Sequence, residues 1–235
     1  MLARIETLLD GLKQVSNDVA HDLRTPLSRL RQRFEAVRRS TPSIADYETL
    51  VDRSVEDMDA LLEMFTAMLR IAEIEATTRT SGFLDVDLSD VLQTVLEVYE
   101  PLATGKSQVL TGSIAPKLFV RGDRELLTQL FANLVENAIK HTPSGSRIAV
   151  EAIQSSGVVE AVVADTGSGI PEAERGKVFR RFYRLEPSRS VPGSGLGLSL
   201  VAAIAALHEI EIILADNRPG LRVQLRFPPN KRVIC

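Results

Sequence analysis

Residues 123–142 read DRELLTQLFANLVENAIKHT. Leu126, Leu127, Leu130 and Leu134 recur at the three- and four-residue spacing of one helical face, which predicts a helix over about 123–141. Asn133, Asn137 and Lys140 follow at intervals of four and three, so they share a second face. Asparagine is a mediocre helix former, and two of them stacked beside a lysine need a reason other than propensity. Amide oxygens suit a hard cation such as Mg2+, whose other ligands are commonly water and phosphate oxygens. The lysine then suits the neighbouring phosphate. A solvated polar stripe is the alternative use of the same three residues.

Around this helix, strand and helix patterns alternate. A helix is expected over about 88–104, short strands near 107–111 and 117–121, strands near 146–154 and 158–164, a helix near 195–208, and strands near 210–215 and 221–227. SerSerGly at 155–157 and AsnArgProGly at 217–220 supply turns between strands. The order fits an α+β domain with its helices on one sheet face, spanning 83–235. Residues 77–82, polar and unperiodic, read as a linker, and residues 1–76 form a separate domain.

In that first domain Ile5, Leu8, Leu12, Val15, Val19, Leu23, Leu27, Leu30, Phe34 and Val37 step mostly by three and four, an a/d seam. SerThrProSer at 40–43 breaks it, and Tyr47, Val51, Val55, Met58, Leu62, Phe65 and Leu69 resume it. Two long helices in an antiparallel hairpin follow. They set an arginine-rich first helix against an acidic second one. A lone hairpin leaves much of such a seam uncovered, and pairing two hairpins into a four-helix bundle covers it. A homodimer is therefore expected.

Composition excludes several classes. The chain has 235 residues, 28 basic and 31 acidic, for a net charge of −3, so no global field favours nucleic acid or an anionic membrane. Its one cysteine, Cys235, forms neither an internal disulfide nor a thiolate metal site. No run approaches the roughly 18 apolar residues of a spanning helix, and the start lacks a signal-peptide pattern. A reducing, cytoplasmic setting is expected.

Three further constellations carry chemistry. His21, in HisAspLeuArgThrProLeu at 21–27, lies between seam positions Val19 and Leu23, so the heptad turns its imidazole outward as a candidate nucleophile. Pro26 lacks an N–H and bends the helix one turn later, and Thr25 shares the face of His21. A solvated histidine beside a kink is the bland alternative. AspThrGlySerGlyIlePro at 165–171 follows an apolar strand, which places Asp165 at a strand end before two glycines, suited to a purine amino group or to a plain turn. GlySerGlyLeuGlyLeuSer at 193–199 leads into an apolar helix and offers backbone N–H groups to phosphate. Its Gly193, Gly195, Gly197 spacing matches neither the dinucleotide fingerprint nor the P-loop. PheArgArgPheTyrArg at 179–184 and Arg189 lie between these sites, as a lid over a nucleotide or as a solvated loop.

In order and spacing, these sites resemble the catalytic portion of two-component sensor histidine kinases. Residues 21–27 resemble that family's phosphoacceptor box, 133–142 its asparagine box, 165–170 its first glycine box, 179–184 its phenylalanine box and 193–198 its second glycine box. The resemblance implies a dimerisation and phosphotransfer hairpin joined to a Bergerat-type ATP-binding α/β sandwich. It implies that His21 accepts the γ-phosphoryl group of ATP, with Asp22 orienting the ring and taking its proton. Asn137 and Asn133 hold Mg2+, Lys140 contacts phosphate and Asp165 reads the adenine amino group. Gly167, Gly169, Gly193, Gly195 and Gly197 shape pocket and lid. Thr25 resembles the position that orients water for dephosphorylating a partner. The implied partner is the receiver domain of a response regulator.

Asp22 stands where that family more usually has glutamate, and the loop before Gly193 is short. No segment resembles a sensor or a transmembrane helix, while the N-terminal heptads resemble the end of a signal-transmitting coiled coil. The chain is thus expected to be the cytoplasmic part of an inner-membrane receptor. Two rivals are a catalytically silent dimeric scaffold and another Bergerat-type ATPase, the latter with no use for the helix-borne histidine box.

Overall fold

The computed structural model describes residues 27–28, 31–32, 34–38, 43–76, 82–185 and 195–229. The chain divides into two compact units, Met1–Ala76 and Thr77–Cys235.

In the first unit, residues 34–38 are helical and α1 spans Ile44–Ala76. A capping box starts α1: Asp46 N donates to Ser43 Oγ at 3.3 Å, and Ser43 N donates to Asp46 Oδ2 at 2.8 Å. The Ser43 hydroxyl, donating to Asp46 Oδ2 at 2.7 Å, and then the Ser43 N–H hold the Asp46 carboxyl below its ordinary range. Leu50, Met68, Ile71 and Ile74 are buried, whereas Tyr47, Val51, Val55, Met58, Leu62, Phe65 and Leu69 form an exposed stripe. The expected seam from Ile5 to Leu23 lies outside the described residues.

The second unit runs β1 (Leu84–Asp87), α2 (Leu88–Gly105), β2 (Val109–Ile114), β3 (Phe119–Gly122), α3 (Arg124–His141), β4 (Arg147–Ser155) and β5 (Val158–Asp165). It continues with the single turn α4 (Glu172–Arg175), α5 (Gly197–Leu207), β6 (Glu211–Asp216) and β7 (Leu221–Arg226). A five-stranded sheet has the order β2-β4-β5-β7-β6, parallel only between β2 and β4, and β1 pairs antiparallel with β3. Ile148, Val150 and Ala152 align across the ladder with Ala161, Val163, Val223 and Leu225, and all are buried on one face. Glu151, Glu160, Arg222 and Arg226 occupy the opposite face in ion pairs. The alternation of β5 puts Asp165 on the face of Val159, Ala161 and Val163, so a carboxylate ends a row of apolar side chains.

Two boundaries differ from expectation. Ser107 takes a positive φ of 55° after α2, so β2 starts at Val109 and runs on to Ile114. The Gly112 position leaves room for Leu96 of α2, whose Cδ1 would lie 2.3 Å from a Cβ there. The strand β1 was not expected, because four residues directly abutting a helix show too little alternation to read.

Buried His208 ties α3 to α5. Its Nδ1 donates to the Ile204 carbonyl at 2.8 Å, so Nε2 is the acceptor for the Asp123 N–H at 3.0 Å, and its ring stacks on Phe83 at 4.4 Å. Asp123 also caps α3, accepting from Glu125 N and Leu126 N. The helix bearing the asparagines is thus anchored at its N-terminus to the end of the helix that begins at Gly197.

Candidate nucleotide site

The polar face of α3 meets the start of α5. A Cβ at Gly197 would lie 3.2 Å from Asn133 Oδ1 and 3.4 Å from Asn137 Nδ2, so glycine brings the α5 backbone against both amides. Asn133 Nδ2 donates to the Gln129 carbonyl at 2.8 Å, which fixes the orientation of its amide. Asn137 makes no side-chain hydrogen bond among the described residues, and its Nδ2 is buried. An unpaired buried amide is destabilising, and where one persists it calls for a water, an ion or a ligand to satisfy it.

Lys140 shares the asparagine face, but the structure gives it a carboxylate: its Nζ lies 2.8 Å from Glu136 Oε1. The i, i+4 spacing makes that pair, so the ammonium is not the free cation that spacing with the asparagines alone suggested. Following it, His141 is held below its ordinary pKa by partial burial, then by Arg184 and Lys140, with Asp165 acting in the opposite direction. These four side chains therefore share one electrostatic neighbourhood.

Asp165 is 8 % exposed. Its Oδ1 accepts from Gly167 N at 2.8 Å and from Leu221 N at 3.3 Å. Burial pushes its carboxyl up, and the two N–H donors pull it back. A Cβ at Gly167 would lie 2.7 Å from Thr142 Cγ2, so this glycine lets the end of α3 close on the loop after β5. Gly169 (φ 68°) likewise would meet the Gly220 carbonyl at 2.8 Å.

Gly195 (φ 72°) accepts a hydrogen bond from Phe182 N at 3.0 Å, and a Cβ there would strike the Phe182 backbone. Tyr183 OH donates to the Glu174 carboxylate, which ties the aromatic segment back to α4. The structure thus gathers Asn133, Asn137 and Gly197 at one place and Asp165, Gly167 and Gly169 at another, joined by the end of α3. His21, Asp22, Thr25 and Gly193 lie outside the described residues.

Sequence reasoning missed Asn217, Gly220, Thr142 and Gln108. Gln108 Nε2 donates to the carbonyls of Ile139 and Thr142 and to Thr142 Oγ1, holding the C-terminus of α3. Asn217 belongs to the AsnArgProGly turn, where only a turn signal was legible.

Residues 12–77 match the His Kinase A (phospho-acceptor) domain, and residues 122–231 match the Histidine kinase-, DNA gyrase B-, and HSP90-like ATPase family. Sensor protein IrlS of Burkholderia pseudomallei is 33 % identical over 233 residues, which cover 97 % of this chain and 49 % of IrlS. Sensor protein SphS of Synechococcus elongatus is 35 % identical over 228 residues, 91 % of this chain and 54 % of SphS. The chain spans about half the length of these curated relatives. Among solved structures, the mycobacterial sensor histidine kinase MprB is 31 % identical with a TM-score of 0.54, over 62 % of this chain and 97 % of that one. Histidine kinase ThkA, in complex with response regulator protein TrrA, shares the fold at 19 % identity with a TM-score of 0.71, over 94 % of this chain and 63 % of that one. The phospho-acceptor and ATPase matches stand in order along one chain, beside a kinase structure aligned over almost its whole length, and the chain belongs to the sensor histidine kinase family.

Proposed function

We propose that this chain is a kinase core that moves the γ-phosphoryl group of ATP onto His21 and then onto an aspartate of a response-regulator receiver domain. The observation that carries the reading is the unpaired Asn137 amide against Gly197. Among the described residues no protein group satisfies that amide, and the neighbouring backbone opens a helix N-terminus, where phosphate oxygens are favoured.

The residues divide the work. Asp165 Oδ1 is held by two N–H groups, which leaves Oδ2 to accept the adenine 6-amino group. Gly167 and Gly169 keep the wall of that pocket free of side chains. The donor set fits Mg2+, because Asn133 and Asn137 offer hard amide oxygens side by side on one helix face. When bound, the ion offsets charge on the phosphates. Lys140, in exchange with Glu136, adds a cation beside them.

His21 must attack as the neutral imidazole, the main form near neutral pH for an unperturbed histidine. Its nitrogen bonds to the γ-phosphorus, the bond to the bridging oxygen breaks and ADP departs. Asp22 takes the proton from the other ring nitrogen. Positioning and electrostatics supply most of the catalysis in such transfers. Thr25, four residues on in the sequence, positions water for removing phosphate from the partner. A homodimer forms through the hairpin, and the exposed stripe of α1 supports it. The response-regulator partner is supported at fold level by the ThkA complex with TrrA. Among the described residues no helix is long and apolar enough to cross a membrane. With the chain spanning half of its relatives, we place it as the cytoplasmic part of a membrane receptor.

Incubation with γ-labelled ATP and Mg2+ tests the reading. Acid-labile label on the wild type, absent from His21→Ala and Asn137→Ala, is expected. ATP binding without labelling of the wild type would point to a dimeric scaffold instead.

A further inference from the structure

The turn between β6 and β7 touches the purine-reading carboxylate from behind. Asn217 N donates to the Gly220 carbonyl at 3.0 Å, closing the turn, and Asn217 Nδ2 donates to the main-chain carbonyl of Asp165 at 2.7 Å. Gly220 is buried with φ 114°, and a Cβ there would fall 1.8 Å from the Asp165 carbonyl oxygen. No side chain fits between the turn and the end of β5.

The ladder explains what this contact does. Phe227 N donates to Val159 O, so the hydrogen-bonded pairs of β5 and β7 step by two from there and reach Asp165 opposite Leu221. At that step Leu221 N–H would ordinarily bond the Asp165 carbonyl. The paired register stops one residue earlier, at Ala164 opposite Arg222. Asn217 takes the carbonyl, and Leu221 N–H turns to Asp165 Oδ1 at 3.3 Å. One side-chain amide thereby releases a backbone donor from the ladder to the carboxylate.

We infer that Asn217 is the positioning residue that aims the Asp165 carboxylate at a purine 6-amino group. It touches no nucleotide itself. Without it, Leu221 N–H completes the ladder and the carboxylate keeps only Gly167 N–H, free to rotate about its side-chain torsion. The inference rests on the proposed role of Asp165.

The test compares binding of ATP and of purine riboside triphosphate, which lacks the 6-amino group, to the full chain by calorimetry. The variants are Asn217→Ala and the near-isosteric Asn217→Asp, which cannot donate from the same atom. The wild type is expected to prefer ATP by about tenfold or more, the scale of one hydrogen bond to a charged group. The variants should lose most of that preference while retaining their affinity for the analogue and a cooperative melt. Preference kept in either folded variant overturns the inference, as does an equal loss for both nucleotides. Failure of both variants to melt cooperatively assigns Asn217 to the fold and overturns it too. A wild type without preference would instead remove the Asp165 reading, which Asp165→Asn checks independently.

Discussion

The two units treat their apolar residues in opposite ways. In the second, Leu88, Val91, Leu92, Leu127, Leu130, Phe131 and Ile139 from α2 and α3 are almost wholly withdrawn from water, with one sheet face. In the first, α1 leaves Leu62 64 % and Val51 58 % exposed along a seven-residue stripe. A sheet covered on one side by helices completes its own core, whereas a single amphipathic helix completes one only against another surface. The second unit therefore completes its own core, while the α1 stripe is the surface that the proposed homodimer would cover.

Substitutions in the two units should separate these behaviours. The largest effect is expected at Phe131, where alanine removes a fully buried ring at a cost of about 3–5 kcal/mol. Chemical denaturation should show the second unit melting early, and an unchanged midpoint would contradict the claim that its core is self-sufficient. Leu62→Glu places a charge in the α1 stripe. It should weaken self-association by about 100-fold or more, roughly 2.7 kcal/mol, leaving nucleotide binding untouched. Sedimentation of the two proteins at matched concentration decides the point, and an undiminished dimer would assign the stripe another use.

Within the second unit, Asp165→Asn separates binding from folding. The buried carboxyl titrates above its unfolded value, so its stabilising contribution is present at low pH and is lost as pH rises through the folded value. At neutral pH the amide should hold or raise the thermal midpoint while ATP affinity falls by about tenfold or more. A lower midpoint would show that the carboxylate's hydrogen bonds outweigh its burial.

His208 gives the pH dependence. Burial lowers its folded pKa, so the stability it contributes is complete above the unfolded value near 6.5 and is lost as pH falls below it. The slope should reach at most about 1.4 kcal/mol per pH unit, and His208→Gln should flatten it. His141, shifted the same way, leaves a residual slope in that variant. An identical profile in wild type and variant would exclude His208 as the source. The smallest effect is expected at Arg226, whose pair with Glu160 on the solvent face spans 3.0 Å between half-exposed side chains. Arg226→Ala should cost under about 1 kcal/mol, less in high salt, and a larger loss measured by denaturation would mean that the outer face carries stability.

The difference between the units also sets what the sequence revealed. Long, strongly periodic segments were legible: α1, α2, α3, α5 and the strands β4 to β7 fall within a few residues of expectation, because burial on one face imposes a period on the residues. Of the candidate site, Asn133, Asn137, Asp165, Gly167 and Gly197 were legible by type and spacing, although a polar stripe or a plain turn uses the same residues. The Glu136–Lys140 pair is written in the same helix at i, i+4, but spacing alone does not decide whether Lys140 turns to that carboxylate or to the asparagine face.

By itself the sequence determined the apolar stripe of α1, the α+β order and the set of polar groups proposed for a nucleotide, since each is written in local spacing. Tertiary structure alone decided which groups are free and which are held. Asn217 lies 52 positions from Asp165, and His208 lies 85 positions from Asp123. Such contacts arise from strand pairing and helix packing across the fold, and hydrogen bonds between residues so far apart leave no periodic trace in the chain that forms them.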